Sequence, residues 1–384
     1  MDPKLLDSGG TGIMSIDTKI REEFPELSHI VHLNSAAISL MPREAKAAVA
    51  QAIRDREYTS EKRTEIRLRR ELETRKKIAA MINAGTEEIC MVSNTSEGLN
   101  IIAQGLNLSA GENVVLAETE FAGNVLPWLN LEKKGVRIKK ASSGYGKDPA
   151  DSILAAVDGK TRVVTVSFVG WIDGFRLNLT KIGEHCRERS IVFVVDAIQG
   201  IGAIELNVRS SHVSFLACGG QKWLMSPNGT GFIFVHKNLL PGIDLKYLGY
   251  LSVLSDLEAF DFRADLKGDA TRFRLGSISD IGIAAMEKSV GLILGAEVKN
   301  TQTHVIELNR YAAEVLLKKG YELVSDLNPE NMSGILTFRG RNTLEKYREL
   351  IQKGIIVSLR NGWIRISPHL YNNKEDIDKM LEAL

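Results

Sequence analysis

The chain has 384 residues, a net charge of +1, 44% hydrophobic residues and 25% charged residues. A charge this balanced leaves no electrostatic footprint for nucleic acid or an anionic membrane surface, and the hydrophobic share is that of an ordinary globular protein. The length exceeds what one compact core usually holds, so a large domain and a smaller one are expected.

Three cysteines, Cys90, Cys186 and Cys218, show no paired spacing. That argues against a disulfide framework or a zinc site and fits a reducing, cytoplasmic setting. Each reads as a small buried apolar residue. No metal site is expected. No apolar run approaches the ~20 residues needed to cross a bilayer, so no membrane partner is expected. The opening MDPKLLDSGGTGIMS has no basic region followed by an apolar core. It reads as a loose arm, not a secretory signal, and residues 1–30 are expected to form an N-terminal segment joining the smaller domain.

In chain order, residues 43–57 and about 61–82 read as helices. Pro42 suits a first helical position, and the charges of SEKRTEIRLRRELETRKK form a solvated face. Short apolar stretches then alternate with helical ones: EICMVS, NVVLAE, RIKKA, RVVTVSFV, IVFVVDA, VSFLAC and GFIFVHK. Most are continuous β-branched runs, the pattern of strands buried on both faces of a mainly parallel sheet. This defines an α/β layered domain over 31–278. From 279 to 384, two helices, the strand-like ELVSD, GILTFRG, IIVSLRNG and WIRISPHL, and a closing amphipathic KEDIDKMLEAL suggest a smaller α+β domain.

Ligands gather at the carboxyl ends of strands in such sheets. Asp196 leaves the apolar strand VFVVD, and Lys222 stands in GGQKWLMSPNGTGF, a loop of small residues. An acid and a lysine so placed suit pyridoxal 5′-phosphate. The lysine forms a Schiff base with the aldehyde and the carboxylate faces the ring nitrogen. Separately, each has a plainer explanation, a strand end and a solvated loop lysine. SNTSEGLNIIAQGL follows a strand and opens a helix, where hydroxyls and unsatisfied amides can hold a phosphate, although Thr or Ser followed by Glu is also a capping signature.

The stretches HLNSAAISLMP, NTSEGLN, ETEFAGNVLPW, VDAIQGIG, GGQKWL with GTGF, RFRLGS and IRISPHLYNN together resemble the class V aminotransferases. These are pyridoxal-phosphate enzymes of the aspartate aminotransferase fold, fold type I. Their relatives include cysteine desulfurases, selenocysteine lyases, cystine lyases and isopenicillin N epimerase. The resemblance implies a large domain with a seven-stranded, mainly parallel sheet plus the smaller C-terminal domain. It implies that Lys222 holds the cofactor and shuttles the α-proton, and that Asp196 keeps the pyridine nitrogen protonated. Gln199 would bond the phenolic oxygen, and Phe121 and Trp171 would line the ring. Thr95, Ser96 and Gln221 would touch the phosphate. Ser277 would reach the neighbouring subunit's phosphate in a homodimer with shared active sites. Arg365 would grip the substrate carboxylate in a two-pronged pair, with Asn34 and Arg360 as further contacts to the amino acid.

The chain also departs from that pattern. Phe121 stands where family desulfurases carry a stacked His, Gln221 where His is common, Gly219 where a phosphate-binding Ser occurs, and Trp171 where an Asn often helps hold the phenolic oxygen. The region KGIIVSLRNGWIRIS has no Cys where desulfurases place their sulfur nucleophile. A persulfide-forming desulfurase is therefore not expected. Transamination of a small amino acid is the first expectation, with carbon–sulfur lyase or epimerase chemistry as alternatives. A dinucleotide-binding oxidoreductase is disfavoured, because no G-x-G-x-x-G opens the first strand–helix turn. A non-catalytic relative is disfavoured by Lys222, Asp196 and Arg365.

Overall fold

The computed structural model describes residues 18–254, 260 and 262–384. The arm expected at the start of the chain lies largely outside the described residues. Thirteen strands are present among them: β1 (Val31–His32), β2 (Ile89–Val92), β3 (Asn113–Ala117), β4 (Arg137–Ala141), β5 (Thr161–Ser167), β6 (Val192–Asp196), β7 (Phe215–Gly219), β8 (Gly231–Val235), β9 (Glu322–Leu323), β10 (Leu336–Arg339), β11 (Ile355–Ile356), β12 (Ser358–Arg360) and β13 (Trp363–Ile366).

Seven of them form one sheet in the order β2-β8-β7-β6-β5-β3-β4. All neighbours run parallel except β8, which is antiparallel to both β7 and β2. The continuous apolar runs follow from burial on both sides. Val115, Val164, Val195 and Phe234 feed one core, while Val114, Val163, Val194 and Ile233 feed the other. The helix Thr95–Gly105 covers the second face. Its Gly98 lies so close to the sheet that a Cβ there would sit 2.5 Å from Ile233 Cγ2, so only glycine permits this approach.

The C-terminal strands form a four-stranded antiparallel sheet in the order β12-β13-β10-β9. Leu308, Ala312 and Leu316 of the helix Val298–Lys318 and Ile377 and Met380 of the helix Lys374–Glu382 pack with it. Val31 and Leu33 belong to this same core, and β1 pairs parallel with β11. Arg21 reinforces the link by a two-pronged ion pair to Asp376, at 2.8 and 3.0 Å. Pro42 is the residue before the helix Arg43–Arg54, not its first turn. Its ψ of 156° is extended, which places it as the cap. Among the described residues no helix is long and apolar enough to cross a membrane.

Candidate active site

Strand ends decide where the site lies. Asp196 is the last residue of β6, and Gly219 the last of β7. Asp196 is buried and accepts a 3.1 Å hydrogen bond from the Ile198 N–H. Burial raises its carboxyl to about 6, against the pull of the Ile198 amide and the positive charge of Lys222. Lys222 mirrors this. Burial lowers its ammonium to about 8, with Asp196 opposing the shift and Arg365 and Arg360 adding to it. An acid and a base held this way in a low-dielectric site are the mark of functional groups.

Two aromatic rings stand beside Lys222. Lys222 Nζ lies 5.9 Å from the centre of the exposed Phe121 ring, which meets the Trp171 ring edge-on at 5.4 Å. Trp171 is held by an Nε1–H bond of 3.2 Å to the Thr119 carbonyl. At the start of the helix Thr95–Gly105, Thr95 Oγ1 accepts from the Gly219 N–H at 2.9 Å. A Cβ on Gly219 would meet Gln221 Oε1 at 2.7 Å and Thr95 Oγ1 at 3.2 Å, so glycine leaves these two side chains room to converge. Thr95 and Ser96 open the helix that Asn94 caps through the Glu97 N–H, and Ser96 is exposed there. Gln199 is buried, and its side chain is spanned between the Ala36 carbonyl (3.1 Å) and the Trp223 indole N–H (3.2 Å).

Arg365 is 1% exposed and has no carboxylate partner among the described residues. One guanidinium nitrogen donates to the Trp171 carbonyl, and the buried Nε has no acceptor. Burial, and then the nearby Arg360 charge, pull it down to about 9. Because an arginine keeps its proton, this is a strong unmet demand for an anion. Among the described residues Arg360 donates only to its neighbour's carbonyl, Leu359, at 3.1 Å. Asn34 sits beside them, its side-chain oxygen accepting from the Ser358 hydroxyl and its backbone bridged to Ser367.

Ser277 is placed apart. It is exposed, lies 3.1 Å from the Tyr250 hydroxyl, and lines a cavity of about 440 Å³ with Arg63, Arg67 and Ser279, none of which touches the Lys222 centre. Nor does any thiol serve the site. All three cysteines are buried; burial pushes Cys90 and Cys186 up to about 12, and raises Cys218 with Asp196 adding to the effect. Among the described residues no group of His, Cys, Asp and Glu could hold a metal ion.

Two features escaped the sequence reading. Glu120, next to Phe121, is half-buried and accepts from both the N–H and the hydroxyl of Ser167, at 2.7 and 2.6 Å. Its position in ETEF was the available signal. His369 packs on Trp223 and its Nε2–H donates to the Trp223 carbonyl (3.0 Å), linking the loop of Lys222 to the C-terminal sheet. No local signal marked that contact.

These residues fit pyridoxal phosphate: a lysine with a lowered pKa, a buried carboxylate opposing it, hydroxyls at a helix start, an aromatic face and an unpaired arginine. The chain belongs to the class-V aminotransferase family, whose model matches residues 31–380. It is accordingly a pyridoxal-phosphate-dependent enzyme of fold type I. A probable cysteine desulfurase of Methanothermobacter thermautotrophicus is 29% identical over 391 residues, covering 95% of this chain and 96% of its own. The apo cysteine desulfurase of Thermococcus onnurineus NA1 superimposes with a TM-score of 0.87 at 22% identity, covering 96% and 97% of the two chains. The cystine C–S lyase C-DES, in complex with cysteine persulfide, gives 0.87 at 19% identity, covering 94% and 98%.

Proposed function

We propose that the enzyme is a carbon–sulfur lyase acting on an amino acid that carries a β-sulfur substituent and a second acid group. The observation that carries this reading is the pair of guanidiniums beside Lys222, Arg365 and Arg360, neither matched by a carboxylate among the described residues. Arg365 takes the α-carboxylate, for which its planar fork is suited, and Arg360 takes the second acid group. Bound pyridoxal phosphate supplies the electron sink. Lys222, as the neutral amine, removes the α-proton, Asp196 holds the proton on the ring nitrogen, and Gln199 orients toward the phenolic oxygen. Thr95, Ser96 and Gln221 hold the phosphate, with Trp171 and Phe121 along the ring.

Phe121 supports elimination of a good leaving group. A phenyl ring has no proton to donate, so the substituent must depart as a stable anion, as a thiolate or persulfide does. No enzyme thiol is needed when the β-carbon–sulfur bond itself breaks. The relatives named as a desulfurase and as a cystine lyase act on sulfur amino acids, which agrees. Transamination of an acidic amino acid is the second reading, favoured by the same arginine pair and by the lysine poised to shuttle a proton.

The test is a product assay. Cofactor-loaded protein given cystine should release pyruvate and ammonia without an added keto acid. Keto-acid formation that depends on an added amino acceptor would replace the lyase with a transaminase. Neither product, across cystine and the acidic amino acids, would remove both readings.

The assembly we infer is a homodimer in which Ser277 meets the partner's phosphate. Tyr247, Leu248, Tyr250 and Leu275 leave apolar surface exposed around it, which supports burial against a second copy. Light scattering on the purified protein should give twice the 42.4 kDa chain mass. A division into 31–278 and 279–384 and a cytoplasmic location remain part of this proposal.

A further inference from the structure

We propose that Glu120 is a positioning residue that anchors the loop carrying Phe121 and so sets that ring over the Lys222 site. Strand β3 pairs with β5 only as far as Leu116 opposite Thr165. Beyond Ala117 the chain turns aside: the Glu118 N–H bonds the Ala141 carbonyl of β4 at 2.9 Å, and the segment from 119 leaves the sheet. Ser167, at the end of β5 and in register with Asp196 on β6, therefore has no strand beside it on that edge. The Glu120 carboxylate fills this gap. It takes the Ser167 N–H at 2.7 Å and the Ser167 hydroxyl at 2.6 Å, and also the Asn124 amide at 3.0 Å.

Asn124 extends the grip. Its carbonyl oxygen accepts from the Thr165 hydroxyl at 2.6 Å, and the side chain is fully buried. Phe121 thus sits between two anchored residues, Glu120 and Asn124, that both hold the end of β5. Trp171 ties down the same segment through the Thr119 carbonyl. Among the described residues no cation pairs with Glu120, and loss of water around its carboxylate, with the Asp196 charge adding to it and the Ser167 and Asn124 bonds opposing it, raises its carboxyl to about 7. A carboxyl so placed is costly for the fold. Its position is explained by the loop it holds, in the way functional sites keep locally unfavourable groups.

The inference concerns cofactor placement, so it stands whether the enzyme eliminates or transaminates. The experiment is a double-mutant cycle on pyridoxal-phosphate affinity and on the visible circular dichroism of the bound cofactor, with Glu120→Ala, Phe121→Ala and the double variant. If Glu120 acts through Phe121, each single change weakens cofactor binding about tenfold and collapses the dichroism, and the double variant is no worse than Phe121→Ala alone. Glu120→Gln, which keeps an acceptor for the Ser167 N–H, should recover most of the affinity. Fully additive losses would overturn the proposal, as would unchanged affinity and dichroism in Glu120→Ala. If Glu120→Ala does not fold, the cycle is run with Ser167→Ala, which removes the hydroxyl that Glu120 accepts from, and additivity with Phe121→Ala there overturns the proposal equally.

Discussion

Arg360 and Trp363 face each other across the β12–β13 hairpin with only Asn361 and Gly362 between them. Both turn residues have positive φ, 49° and 80°, the geometry of a tight two-residue turn that asparagine and glycine adopt readily. The stretch KGIIVSLRNGWIRIS that runs through this turn holds no cysteine, so no thiol can swing into the site from there.

It follows that thiol chemistry should be dispensable. Iodoacetamide at about pH 7 should leave turnover intact, because thiols raised this far are almost wholly protonated and buried. Cys218→Ala should stay within about threefold of the parent, as expected of a small buried residue with no chemical task. Turnover lost in step with alkylation would restore a persulfide route.

Lys222→Ala should bind the cofactor without a covalent link and lose turnover by about three orders of magnitude. Borohydride should fix the cofactor to the Lys222 peptide in the parent only. Lowering of the ammonium to about 8 means the free amine gains with pH up to that value. The rate of imine formation with added pyridoxal phosphate should rise about tenfold per unit below pH 8 and level off above it. A flat profile would remove the assigned role.

Asp196 trades stability for chemistry. Its carboxyl binds a proton up to about 6 in the fold but only to its ordinary value of 3.8 when unfolded. Between those values the folded form holds the extra proton, so stability falls as pH rises through the window and the full penalty stands above it. Asp196→Asn should stabilise the cofactor-free protein near neutral pH by on the order of 2 kcal/mol and flatten that pH dependence. The same change should cripple turnover more than Gln199→Ala does, since the Gln199 side chain is already shared between Ala36 and Trp223. Denaturant melts and steady-state rates check both halves; the reverse ranking would undermine the electron-sink role.

Arg365→Lys should cost about a hundredfold in kcat/KM for every substrate, through loss of the planar fork. Arg360→Ala should cost a similar factor only for substrates with a second acid group. Equal losses on mono- and diacid substrates would make Arg360 a general contact.

Much of the architecture was legible. Most strands of the large sheet announced themselves because they are buried on both faces, as in β3 with Val114 and Leu116 on one side and Val115 and Ala117 on the other, which leaves no polar alternation; the edge strand β4 is the exception. Lys222, Asp196 and Arg365 were legible because their neighbours form extended motifs. Glu120 was not. An acid just past a strand reads as a solvated loop, and only the parting of β3 from β5 turns it into a ligand for Ser167. Ser277 stood in a recognisable motif, yet its position away from Lys222 appears only in three dimensions.

By itself, then, the order of residues determined most of the strand and helix pattern, the family and its cofactor, and put forward Asp196, Lys222 and Arg365 as candidates, because periodicity and motif are properties of neighbours along the chain. The tertiary structure decided which charges go unpaired, how far burial moves each proton, and how the Phe121 loop is held. Those depend on groups far apart in sequence meeting in a space from which water is excluded, and the strength of charge and hydrogen bonding there is set by that enclosure.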